Sequence, residues 1–362
     1  MTDLSFTQDE TYVVQPREIE SLLKRLWNEA NGEGEESPVM QVRTQNLLAF
    51  IPSAFSNAET LRAIDAASVQ HPGRTITMIA TDDEQAPVAN VAIACRIGSG
   101  GKQLCGEQIA ITCGYGGEPL PSIAASLTVP GVPVFLWWHG DPPFTSQVFD
   151  SLVETADRVI LDSRSWNAPF ETLKELAQHS AKHAPHIAYT DLHWTRLTPW
   201  RRQTAQCFDL PDALPQLYRL RQVTIEHGSD DHDYVEALLF VGWLASGLNW
   251  KIGQSGNGRL TMRGQNTTVA IDLRRREHSD GLQAVTLSSA DAEFKLSYVP
   301  ETECVRTEIT LPGAMPIERV ARFKAQPLEA MISEELNMLD RDRHFERALQ
   351  IAAEIVGGEP RT

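Results

Sequence analysis

The stretch VPVFLWWHGDPPF, Val132 to Phe144, decides how the first half of the chain is read. VPVFLWW has the continuous apolar character of a buried strand, and it breaks off into Trp137, Trp138, His139, Gly140, Asp141 and two prolines, where the strand gives way to a loop. Such a cluster suits an active site, a ligand pocket or a surface for another protein.

Working outward, short apolar runs alternate with helix-like stretches. NLLAFIP, TITMIA, VANVAIACRI, QIAITCGY, RVILDS and HIAYTDL read as strands, while 58–69, 120–127, 145–156 and 169–182 carry helical spacing. Several of these strands are apolar on both faces, which argues for an open, largely parallel sheet covered by helices. Residues 37–217 are therefore expected to form a doubly wound α/β domain. Before it, Ile19, Leu22, Leu23, Leu26 and Trp27 lie on one face of a helix that starts at Pro16, and NGEGEESP reads as a solvated acidic linker within an amino-terminal segment, 1–36.

Beyond residue 217 the rhythm changes. An apolar helix over 234–248 contains Glu236 and is shorter than the roughly 20 residues a membrane span needs. TVAIDL, AVTLSS, EFKLSYV and CVRTEITL then alternate apolar and polar positions, as an antiparallel sheet with one wet face requires. Helices near 327–339 and 341–356 follow, so 218–362 reads as a smaller α+β domain. No internal repeat is visible.

Composition narrows the function. With 42% hydrophobic and 22% charged residues the chain can bury a sizeable core, and its formal net charge of −16 speaks against nucleic acid as a partner. The start of the chain lacks the basic-then-apolar pattern of a secretory leader, so a cytoplasmic location without membrane attachment is expected. Cys95, Cys105, Cys113, Cys207 and Cys304 are odd in number and contain no C-x-x-C pair, which favours free thiols, although Cys95, Cys105 and Cys113 lie near neighbouring strands and could include a redox-sensitive pair.

In an open α/β sheet, ligands lie outside the carboxyl ends of the strands. Three strands here end in polar clusters: Asp141 after the first, Asp162 and Ser163 after the second, and Asp191, His193 and Arg196 after the third. If the strands are parallel neighbours, Asp141, Asp162 and Asp191 would face one crevice, suited to acid–base work with His139 or to a hard metal ion. The plainer reading is that each aspartate caps a helix or a turn. No G-x-S-x-G nucleophile elbow is present, RIGSGGKQ fails the phosphate-loop spacing, and GYGGEP fails G-x-G-x-x-G. His179, His183 and His186 share helical spacing but fit an exposed, polar helix end. No metal or cofactor is implied.

Five of the eight tryptophans, Trp137, Trp138, Trp166, Trp194 and Trp200, fall in these segments together with Pro142, Arg196 and Arg201. Trp and Arg dominate the binding energy of protein interfaces, and prolines that stiffen a loop lower the entropy cost of docking. Trp137, Trp138, His139, Asp141, Pro142, Trp166, Trp194, Arg196, Trp200 and Arg201 are thus expected to grip a partner, with Asp141, Asp162, Ser163 and Asp191 as the alternative ligand crevice of a small-molecule enzyme or nucleotide sensor.

LWWHGDPPF (136–144), RVILDSRSW (158–166) and DLHWTRLTPWRR (191–202), together with Leu26-Trp27 and the two-part layout, resemble the glucose-6-phosphate dehydrogenase assembly protein family, OpcA. The resemblance implies a non-enzymatic partner protein that binds oligomeric glucose-6-phosphate dehydrogenase and promotes its active form, feeding the oxidative pentose phosphate pathway. In photosynthetic members activation is linked to thiol redox state, and the resemblance matches no regulatory cysteine pair onto this chain.

Overall fold

The computed structural model describes residues 12–32, 39–52, 58–98, 102–183, 186–256, 259–265 and 267–358. The stretch 1–11, at the start read above for a leader, and the expected acidic linker from residue 33 onward lie outside them. Two compact units form, one from 1–161, 185–189 and 327–341, the other from 162–184, 190–326 and 342–362. The sequence pattern placed a single boundary near residue 217, whereas neither unit is one continuous segment.

In chain order the strands are β1 (Tyr12–Val14), β2 (Val39–Gln41), β3 (Asn46–Pro52), β4 (Arg74–Ala80), β5 (Val88–Ile97), β6 (Gln103–Cys113), β7 (Val134–Trp138), β8 (Arg158–Leu161), β9 (Ala188–Asp191), β10 (Gln222–His227), β11 (Lys251–Gly256), β12 (Arg259–Arg263), β13 (Thr268–Arg275), β14 (Leu282–Ser288), β15 (Glu293–Val299), β16 (Cys304–Thr310) and β17 (Ile317–Arg322). The α-helices are α1 (Ile19–Gly32), α2 (Ala58–Gln70), α3 (Leu120–Leu127), α4 (Gln147–Thr155), α5 (Pro169–His183), α6 (Leu192–Arg196), α7 (Thr198–Gln206), α8 (Leu214–Leu217), α9 (Asp231–Gly247), α10 (Leu328–Leu336) and α11 (Arg343–Gly358).

The first sheet runs β1-β5-β6-β4-β3-β7-β8-β9, with β2 also paired to β6. Its central strands are parallel, and β5 lies antiparallel to both β1 and β6. Leu47 to Ile51 of β3 are all buried, as a parallel strand covered on both faces demands. The chain passes from β3 to β4 on one side and returns to β7 on the other, so the winding reverses between β3 and β7. At that reversal an open sheet ordinarily offers its ligand crevice.

The buried charged groups Glu107 and Arg158 of this unit are paired. Glu107 accepts hydrogen bonds from the Trp27 indole (2.7 Å), Gln41 (2.8 Å) and Arg74 (2.7 Å), which fastens α1 to β4 and β6. Burial works to raise the Glu107 carboxyl, but the Arg74 and Trp27 hydrogen bonds outweigh it and hold the group below its ordinary value. On β8, Arg158 meets Glu335 of α10 at 2.7 Å with both side chains 1% exposed, and donates to the Asp340 carbonyl at 2.9 Å.

One expectation about the cysteines is corrected. Cys95 of β5 stands directly opposite Cys105 of β6, and the two form a disulfide. An odd count and the lack of a C-x-x-C pair favour free thiols, but spacing along a chain carries no information about register across a hairpin. Cys113, Cys207 and Cys304 remain free.

The second unit holds a sheet in the order β11-β12-β13-β10-β14-β15-β16-β17, antiparallel except where β10 meets β13. Alternation along β15 and β16 buries Phe294, Leu296, Val305 and Ile309 on one face and leaves Glu293, Lys295, Arg306 and Glu308 exposed on the other. Helix α9 is buried on nearly every side. Its Gly242 lies so close to α11 that a Cβ there would stand 2.3 Å from the Ala348 carbonyl oxygen, so only glycine permits this packing. No helix among the described residues is long and apolar enough to cross a membrane.

Two outcomes are expected. Thiol titration of the unfolded chain gives three reactive groups before reduction and five after it. Glu335→Ala, which strands Arg158 as an unpaired buried cation, lowers stability by about 3–5 kcal/mol in urea unfolding, whereas replacing Arg158 and Glu335 together by Met and Leu recovers most of that loss.

Candidate functional site

Strand β7 delivers Trp137 and Trp138 to opposite faces of the first sheet. Trp138 lies flat on Phe50 of β3, ring centroids 3.9 Å apart and 8° from parallel, and meets Phe149 of α4 edge-on at 4.9 Å. Its indole N–H donates to the Asp141 carbonyl oxygen at 3.2 Å. The backbone N–H of His139 donates to the Phe50 carbonyl, and the His139 ring stands perpendicular to Trp137 at 5.8 Å. Aromatic rings therefore fill the place where the winding of the sheet reverses. Pro142 is buried, and Asp141 is half-buried at the turn.

Asp162, which follows β8, and the last two residues of β9 belong to the second unit. Asp162 accepts from Arg196 at 2.7 and 3.0 Å through both terminal guanidinium nitrogens, and from the Arg164 backbone N–H at 3.2 Å. Burial alone would raise its pKa; Arg196 reverses that and holds the carboxyl below its ordinary value. Asp191 uses one oxygen to accept from the backbone N–H groups of Ser163 (2.9 Å) and His193 (3.0 Å), and its other oxygen is buried without a hydrogen-bond partner. Burial, helped by the neighbouring Asp162, pushes Asp191 up to about 6.

Ser163 Oγ and His193 Nδ1 lie 2.6 Å apart, a spacing that suits a nucleophile and its base. The surroundings do not. Ser163 and Asp191 are 0% exposed and His193 1%, and Asp191 binds the backbone of His193 rather than its ring. Burial and then Arg196 drive His193 far below its ordinary pKa, so the ring is neutral. The Ser163–His193 pair thus ties two strand ends together in a sealed interior.

The remaining indoles are also packed in the interior. Trp194 donates to Asp342 at 2.7 Å and carries the Arg201 guanidinium 3.6 Å above its ring. Trp200 packs on Phe323 at 5.1 Å, and the Trp166 carbonyl accepts from His232 Nε2 at 2.7 Å. Trp137, Trp138, Trp166, Trp194 and Trp200 are between 1% and 3% exposed. These rings, expected to grip a partner, are covered: a tryptophan at a strand end reads identically whether it faces solvent or a covering helix.

Of the carboxylates expected to share one crevice, Asp162 and Asp191 come together with Ser163, while Asp141 belongs to the other unit. Both strand-end aspartates accept from backbone N–H groups at the start of a helical turn, the capping reading of the sequence. His179 is buried against His183, with ring centroids 4.1 Å apart, instead of lying on an exposed helix end. Among the described residues no group of three or more His, Cys, Asp or Glu side chains is arranged to hold a metal ion.

Trp138→Ala and Trp200→Ala are therefore expected to lower stability by about 3–5 kcal/mol each, read as a shifted midpoint in urea. Asp191 gives a pH signature. Its carboxyl titrates near 6 in the fold and near 4 in an unfolded chain, so the stability present below about pH 4 is lost as pH rises through about 6. Asp191→Asn retains the oxygen that accepts the two amides and removes the titration; over that window the native chain should lose on the order of 2–3 kcal/mol relative to the variant.

Two family models match this chain. Residues 64–178 match the glucose-6-phosphate dehydrogenase subunit N-terminal domain of the OpcA assembly family, and residues 187–349 match its C-terminal domain. An OxPP cycle protein OpcA from Synechocystis sp. is 31% identical over 195 residues, a match that covers 51% of this chain and 39% of that protein. The OpcA protein of Nostoc punctiforme is 28% identical over 323 residues, covering 83% of this chain and 68% of the relative. Among solved structures, a 3-ketoreductase from Actinomadura kijaniata shares the fold with a TM-score of 0.51 at 11% identity, covering 88% of this chain and 98% of that one. Matched in both its halves by the two domains of one family, the chain belongs to the OpcA family of glucose-6-phosphate dehydrogenase assembly proteins.

Proposed function

We propose that this protein is a non-enzymatic assembly factor that binds oligomeric glucose-6-phosphate dehydrogenase and promotes its active form in the oxidative pentose phosphate pathway. The observation that carries this reading is the match of both family domains, each described as part of a glucose-6-phosphate dehydrogenase subunit. The Ser163–His193 pair supports it, because the most enzyme-like contact among the described residues is buried from solvent.

An activator shifts its target only by as much as it binds the active form better than the inactive one. A preference of about 1–3 kcal/mol changes apparent substrate affinity several-fold or more. The buried indoles would shape the loops that make this contact, and the polar groups beside them would touch the partner. Asp141, Arg196 and Arg201 are half-buried, and Pro143 and Arg202 of the same loops are exposed.

Titrating this protein into the dehydrogenase should lower the apparent KM or raise kcat saturably, with the two proteins co-migrating in size-exclusion chromatography. Arg202→Glu should slow association several-fold at low salt without changing the fold. Unchanged kinetics and separate elution at saturating concentration would overturn the proposal.

A further inference from the structure

The second unit contains a cavity of about 630 Å³ whose lining includes Arg164 and Arg196 but neither Ser163 nor His193. Its lining includes Glu236 of α9, Gly281 of the β13–β14 turn, Lys324, and the aromatic side chains Trp200, Tyr298 and Phe323. The three rings form one wall, since Phe323 meets Trp200 at 5.1 Å and Tyr298 at 5.7 Å. The turn is held in place by its own bonds. The Gly281 N–H donates to Asp233 at 2.7 Å, and Arg164 donates to both oxygens of Asp280 at 2.8 Å.

Glu236 is the unusual member. It is 5% exposed, and among the described residues its carboxyl accepts no hydrogen bond and makes no ion pair within contact distance. An added Cβ at Gly281 would stand 3.2 Å from its Oε2, so a glycine leaves that oxygen room. A carboxyl buried without a donor is costly, and such groups in native structures ordinarily meet a partner. Burial raises Glu236 to about 7 despite the attraction of Arg196 and Arg164. The carboxyl can therefore accept from or donate to a ligand hydroxyl near neutral pH. Lys324, by contrast, is exposed and makes no ion pair among the described residues.

We propose that this cavity binds a small sugar phosphate, with the phosphate at Lys324, the C–H face of the ring against Trp200, Tyr298 and Phe323, and a hydroxyl at Glu236. A cation toward solvent, an aromatic wall and a buried carboxyl match a molecule that is anionic at one end and hydroxylated at the other. The proposal does not depend on the dehydrogenase being the partner.

Isothermal titration calorimetry on the full chain at pH 7 tests it, with glucose 6-phosphate, glucose and inorganic phosphate as the probes. Glucose 6-phosphate should bind saturably, and each fragment at least about tenfold more weakly. Lys324→Ala should weaken both phosphate-bearing probes. Glu236→Gln should weaken glucose 6-phosphate about tenfold and leave inorganic phosphate unchanged. Circular dichroism checks that the Gln variant is folded, and Lys324, being exposed, tests the site independently of folding. The absence of saturable heat with glucose 6-phosphate would overturn the proposal. So would equal affinity for inorganic phosphate with Glu236→Gln silent, or binding indifferent to both variants.

Discussion

A carboxylate removed from water must meet a cation or a set of N–H donors, and that constraint organises much of this chain. Glu107 gathers Trp27, Gln41 and Arg74; Glu335 is held by Arg158; Asp162 takes both terminal nitrogens of Arg196; Asp191 takes two backbone amides. The first two fix helices against strands of the sheet of the first unit. The last two shape the strand ends that lead into the second. Glu236 alone of these buried carboxyls lacks such a contact among the described residues, which is why its cavity stands out.

The same clusters hold residue types that also serve catalysis. Aspartate, serine and histidine recur at strand ends in enzymes because those ends converge on a substrate. Here the convergence is used to seal. Indoles cover the carboxyl ends of strands in each unit, and the serine–histidine contact serves as a buried tie. The fold likeness to a ketoreductase shows how the chain is built, and the family match places it among the OpcA proteins.

The two sheet types were legible in the sequence because they obey different periods. The unbroken run at 47–51 marks a strand covered on both faces, and the alternation over 293–298 marks one with a wet face. Capping by Asp162 and Asp191 was legible for the same local reason. What sequence could not convey is set by distance along the chain. Cys95 and Cys105 pair through strand register, Arg158 and Glu335 are 177 residues apart, and the depth of an indole depends on which helix covers it. Glu236 was conspicuous as the acid inside an apolar helix, but the absence of a partner is a property of three dimensions.

Seven of the eight tryptophans are nine-tenths or more buried. The chain thus carries an optical gauge of its own interior: its ultraviolet emission is dominated by rings shielded from solvent, and their colour tracks the integrity of the packing. A companion protein that docks on the outside leaves that colour alone, whereas one that pries the loops open shifts it to the red. Watching emission during complex formation would thereby distinguish a rigid handshake from a remodelling one without attaching any label.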